Sequence, residues 1–63
     1  MTFFPITEAR GDEIWINPDF IRAVSADSDE PSLTNIYIGD AMFSFKVAEP
    51  AADLLTRLEN FKS

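Results

Sequence analysis

Apolar and polar residues alternate in short runs separated by turn-forming residues, the pattern of a chain built mainly of strands. The breaks fall at Gly11-Asp12, Asn17-Pro18-Asp19, Asp27 to Ser32, Gly39-Asp40 and Glu49-Pro50. Between them lie segments rich in Ile, Val, Phe, Trp and Tyr, side chains that suit a pleated surface. Strands are predicted near Phe3–Glu8, Glu13–Ile16, Phe20–Ala26, Thr34–Ile38 and Met42–Val47. The connections are too short for crossover helices, so successive strands are expected to pair antiparallel. The clearest hairpin is the last. Ile36 and Ile38 share one face, and after Gly39-Asp40 the residues Phe43, Phe45 and Val47 alternate with Met42, Ser44 and Lys46. Alternation fails at Asn17-Pro18-Asp19-Phe20-Ile21. Pro18 suits the second position of a turn there, with Asn17 able to bond the backbone further on. The three-residue spacing of Ile21 and Val24 allows one helical turn before the strand.

After Pro50 the period changes. Ala51, Leu54, Leu55, Leu58 and Phe61 recur at helical spacing, and Pro50 suits the first helical position, where a missing N–H costs nothing. Glu49 and Asp53 place negative charge near the positive end of the dipole, Lys62 lies at the other end, and Asp53 with Arg57 forms an i,i+4 pair. A helix from Pro50 to Lys62 spans about 20 Å and is marginal alone, so its apolar stripe must lie on the sheet. The expected fold is α+β: an antiparallel β-meander of four or five short, strongly bent strands followed by one C-terminal amphipathic helix, with residues 1–63 as a single small domain. A small SH3-like barrel capped by the helix is the alternative. The expected core is Ile6, Ile14, Ile16, Ile21, Val24, Ile36, Ile38, Phe43, Phe45, Val47, Leu54, Leu55 and Leu58.

Composition narrows the chemistry. A chain of 63 residues has a core worth only about 3–5 kcal/mol, and domains of this size often rely on a disulfide, a metal or a partner chain. Cys and His are absent, which removes disulfides, the usual zinc ligands, thiol nucleophiles and the commonest general base. Association is the device that remains. Gly11 and Gly39 are the only glycines and both fall at turns, so no phosphate-binding loop is present. A carboxylate pair would need pocket walls that so short a chain hardly provides. An enzyme is not expected, nor any cofactor or metal. The densest acidic run, Asp27-Ser28-Asp29-Glu30, could supply oxygen ligands to calcium, yet Pro31 and Ser32 follow where an EF-hand loop needs a further ligand and a glycine. A solvated loop is the preferred reading.

The net charge of -6 argues against binding phosphate backbones or anionic membranes. No stretch approaches the ~20 apolar residues of a membrane span, and the N-terminal run, cut by Pro5 and Glu8, is not a secretion signal. A cytoplasmic location is expected. The acidity admits a sharper alternative, an acidic mimic or inhibitor of a nucleic-acid-binding protein, which would need the carboxylates gathered on one face. Here they are scattered through turns and strand edges, and a soluble surface explains the same count. Direct binding of single-stranded nucleic acid through aromatics lacks the basic groove, with Arg10, Arg22, Lys46, Arg57 and Lys62 the only cations.

Six Phe, one Tyr and one Trp exceed what one small core accepts. If Ile14 and Ile16 face inward, Trp15 faces outward; if Ile36 and Ile38 face inward, Tyr37 faces outward; and one of Phe3 and Phe4 must also point away. Either loops or barrel closure cover these side chains, or they join another chain. The second reading is preferred, with Trp15, Tyr37, Met42 and Phe3 as the partner-binding residues. The partner is then a second copy (a homo-oligomer) or another protein.

The run Ile14-Trp15-Ile16-Asn17-Pro18-Asp19-Phe20-Ile21, the hairpin after it, and Val47-Ala48-Glu49-Pro50 leading into a short amphipathic helix resemble the small bacterial FlbD-type proteins linked to flagellar motility. The likeness covers roughly residues 6 to 61, and its specific part is the Ile16–Ile21 turn. The chain departs from the pattern at Gly39-Asp40, where Asn-Gly is usual, at Glu49, where a Ser cap is typical, and in the longer acidic loop Asp27–Ser32. No catalytic residues carry over. The resemblance implies a non-enzymatic accessory role, with bacterial motility as its setting.

Overall fold

A computed structural model describes residues 3–39 and 43–62, Phe43 by its backbone alone. Five strands and one helix follow in chain order: β1 (Phe4–Thr7), β2 (Glu13–Ile16), a 3-10 turn (Pro18–Phe20), β3 (Ile21–Ala26), β4 (Thr34–Ile38), β5 (Phe43–Val47) and α1 (Ala51–Lys62). The fold is α+β, with all strand pairs antiparallel. β1 and β2 form one sheet, and β3, β4 and β5 a second in that order.

Successive strands pair as expected except at β2 and β3, which do not. The intervening Asn17-Pro18-Asp19-Phe20 segment turns the chain through a 3-10 turn. The Asn17 carboxamide oxygen accepts the Asp19 N–H at 3.0 Å, and the Asn17 carbonyl accepts the Phe20 N–H at 3.0 Å. The helical turn therefore precedes β3, which starts at Ile21 rather than Phe20. The two sheets meet instead through β1 and β5. Glu8 bridges Val47, the Ala9 N–H donates to the Lys46 carbonyl at 2.8 Å, and the Ala48 N–H donates to the Thr7 carbonyl at 2.9 Å. The β1–β2 connection closes on Gly11, whose φ of 104° an L side chain rarely adopts; its N–H donates to the Glu8 carbonyl at 2.8 Å.

The core lies between the sheets and the helix. Phe4, Ile6, Ile16, Ile36, Val47 and Leu54 are buried, and Ile14, Ile21, Val24, Ile38, Phe45, Leu58 and Phe61 pack around them. Phe4 thus turns inward, which leaves Phe3 outside. The Phe4 ring meets the Phe61 ring edge-on, centroids 5.1 Å apart, and the Arg57 guanidinium lies 4.7 Å from the Phe4 centroid. Among the described residues Thr34 is a buried polar side chain, and its hydroxyl donates to the Glu49 carbonyl, fastening β4 to the entry of the helix.

Three expectations need correction. Leu55 is 41% exposed, not core, because the helix turns Leu54, Leu58 and Phe61 to the sheet and Leu55 falls about 100° round from Leu54. Pro50 stands one place before the helix, where its carbonyl accepts the Leu54 N–H. Arg57 does not bond Asp53. Its forked side chain reaches both Glu49 carboxylate oxygens, at 2.8 and 3.0 Å, and the Pro5 carbonyl at 3.2 Å. A planar guanidinium gains more from a bidentate carboxylate than from a neighbour one helical turn back. The expected core position of the Phe43 side chain lies outside the described residues.

Candidate interaction surface

Hydrogen-bond alternation in the first hairpin decides what its strands present. The Glu8 N–H donates to the Asp12 carbonyl at 2.7 Å, and the register pairs Phe4 with Ile16, Pro5 with Trp15, Ile6 with Ile14, and Thr7 with Glu13. Bonded and non-bonded pairs alternate in an antiparallel ladder, so Ile14 and Ile16 direct their backbone groups at β1. Pro5 and Thr7 direct theirs the other way, toward α1 and β5. The Thr7 carbonyl is taken by Ala48, the Pro5 carbonyl by Arg57, and Pro5 has no N–H to satisfy. Both carbonyls on that edge of β1 are therefore taken.

On the outer face of the same hairpin stand Pro5, Thr7, Glu13 and Trp15. Trp15 is 60% exposed and Phe3 49%. Pro5 sits directly across from Trp15 in a non-bonded pair, the kind that brings side chains closest. Phe3 immediately precedes β1, so Phe3 and Trp15 are both exposed, one beside and one on the first strand pair. Tyr37 lies on the other sheet, half-buried on the outer face of β4 between Ala23 of β3 and Ser44 of β5. Met42 lies outside the described residues.

Phe20 is a third large exposed aromatic, at 61%, and lies outside the partner-binding set expected from the sequence. The signal was present: Phe20 and Ile21 adjoin, and assigning Ile21 to the core leaves Phe20 outside. It lines an open groove of about 410 Å³ with Asp19, Ile21, Arg22 and Gly39.

The acidic loop is tied to its own sheet. One Asp27 carboxylate oxygen accepts from the Asn35 carboxamide at 3.2 Å and the other from the Glu30 N–H at 3.1 Å, while the Lys46 ammonium lies 3.5 Å away. The Asn35 hydrogen bond, with the Lys46 charge and the Glu30 N–H, holds the Asp27 carboxyl below its ordinary value of 3.8 against the opposing effect of burial. These contacts make Asp27 a loop staple. Among the described residues no three Asp or Glu side chains converge as metal ligands would. No helix there is long and apolar enough to cross a membrane.

Compared with known proteins, the chain matches no family model, no curated protein sequence and no solved structure.

Proposed function

We propose that the protein is a small, cytoplasmic, non-enzymatic protein–protein interaction module that self-associates through the outer face of its first hairpin. The observation that carries this reading is Trp15. A single tryptophan 60% open to solvent, with Pro5 opposite it and an exposed Phe3 just before β1, is an apolar surface of the residue types enriched at protein interfaces. The small core supports the same reading, since a second copy would add buried area that a chain of this size lacks. The likeness to FlbD-type proteins makes an accessory role in bacterial motility the setting to examine first.

The distribution of charge favours the module over an acidic mimic. Asp12 pairs with Arg10, Asp27 with Lys46 and Glu49 with Arg57. The other carboxylates among the described residues are divided among hairpin, loop and helix. Trp15→Ala is expected to shift sedimentation toward monomer while far-UV circular dichroism stays unchanged. A wild-type chain that sediments as a monomer at millimolar concentration would refute self-association.

A further inference from the structure

Among the described residues the outer edges of β2 and β3 both lack a strand partner, and the two differ. At β3, the bond from the Asp27 N–H to the Leu33 carbonyl sets the phase of the ladder, so Val24 and Ala26 turn their backbone groups outward. That edge carries a bulge between Ile21 and Ala23, a recognised way of blocking edge-to-edge pairing. At β2, the alternation that aims Ile14 and Ile16 at β1 leaves the N–H and C=O of Glu13 and Trp15 facing away from the sheet. Among the described residues β2 pairs with β1 alone, without a bulge.

We infer that a second copy of this chain pairs with the β2 edge, antiparallel and centred on Trp15. The inference rests on the self-association proposed above and deepens it by naming the contact. Two-fold pairing must keep inner-face residues opposite inner-face residues, which leaves two registers over this short strand. Centring on Ile14 sets Glu13 against Trp15 of the copy and makes the two Glu13 carboxylates diagonal neighbours, about 7–8 Å apart. Centring on Trp15 sets Glu13 against Asn17, Ile14 against Ile16, and the two Trp15 residues against each other, each donating its N–H to the other's carbonyl. The Glu13 carboxylates then lie about 14 Å apart, four strand residues at about 3.4 Å each. That exceeds the roughly 10 Å screening length at 0.1 M salt. The second register separates like charges, continues the apolar inner face and joins two exposed indoles. With -6 on each copy, association tightens as salt rises.

Trp15 is the only tryptophan, so its emission reports on the proposed axis without background. The experiment follows sedimentation and Trp15 emission against concentration for the wild type, Glu13→Pro and Glu13→Gln. The Glu13 N–H faces the open edge, so a proline there leaves the β1–β2 ladder intact but occupies the space a neighbouring strand needs. The wild type is expected to dimerise with a blue shift in emission, Glu13→Gln to dimerise at least as tightly, and Glu13→Pro to lose at least tenfold in affinity with unchanged circular dichroism. Should Glu13→Pro fail to fold, a synthetic chain N-methylated at the Trp15 amide removes the same edge donor and keeps every side chain. A blocked-edge chain that dimerises within twofold of wild type, while Trp15→Ala dissociates, overturns edge pairing and leaves the aromatic-face reading standing. A monomeric wild type overturns both.

Discussion

Arg57 is the residue that ties the helix to the first sheet, and its removal can be worked through contact by contact. The guanidinium lies 4.7 Å from the centroid of the buried Phe4 ring, an arrangement worth about 0.5–1 kcal/mol. The ion pair with Glu49 is partly wet, with Arg57 42% and Glu49 21% exposed, which places it in the range of about 0.2–1 kcal/mol for surface pairs. The 3.2 Å bond to the Pro5 carbonyl adds a few tenths, because water can replace the donor. Arg57→Ala should therefore cost about 1–2 kcal/mol, a large share of the roughly 3–5 kcal/mol a core of this size supplies. Arg57→Lys keeps the charge but loses the fork and the stacking, and should cost about 1 kcal/mol. Urea unfolding followed by circular dichroism reads both, and melting should fall by about 4–8 °C for each kcal/mol. A double-mutant cycle with Glu49→Gln isolates the pair, with a coupling of about 0.2–1 kcal/mol that shrinks in high salt. If Arg57→Ala unfolds within 0.3 kcal/mol or so of wild type, a difference usual for surface changes, the clamp is ornamental and the reasoning fails.

Two neighbours on the helix should behave in opposite ways. Leu54, 1% exposed, should lose about 2–5 kcal/mol on change to Ala, enough to leave the chain largely unfolded by circular dichroism. Leu55→Gln, at 41% exposure, should stay within about 0.5 kcal/mol of wild type; a larger loss would show that Leu55 is covered after all. The Asp27 carboxyl, held below 3.8 by the Asn35 hydrogen bond first and then by Lys46 and Glu30, stabilises the fold above that value. The stabilisation is lost as pH falls through the lower folded-state value. Urea midpoints of wild type and Asp27→Asn should therefore converge as the pH drops below about 4, and a gap that stays constant into acid would contradict the assignment.

Local chemistry made much of this fold legible. The bounds of β2 and β4 follow from alternation alone, because a period of two fixes which side chains share a face. The Asn17 turn is equally readable, since a carboxamide two residues before an N–H needs no distant partner. The divided fate of Phe3 and Phe4 was half legible. Alternation demands that one point outward, and the pocket formed by Phe61 and Arg57 selects Phe4 for the inside. For Arg57 the helix offers Asp53 at a favourable spacing, whereas Glu49 and Pro5 come within reach only once the chain before α1 has folded back on β1.

The sequence by itself determined the strands, the helix and the surplus of aromatic side chains, because periodicity, turn residues and counts are properties of neighbouring positions. Tertiary structure alone decided that β1, not β2, meets β5, that Leu55 stays in water, and that a straight, unpaired backbone edge runs along the strand bearing Trp15. Each of these depends on which strands lie side by side and how the helix is rotated on them. Residues distant in sequence settle both through the way they pack.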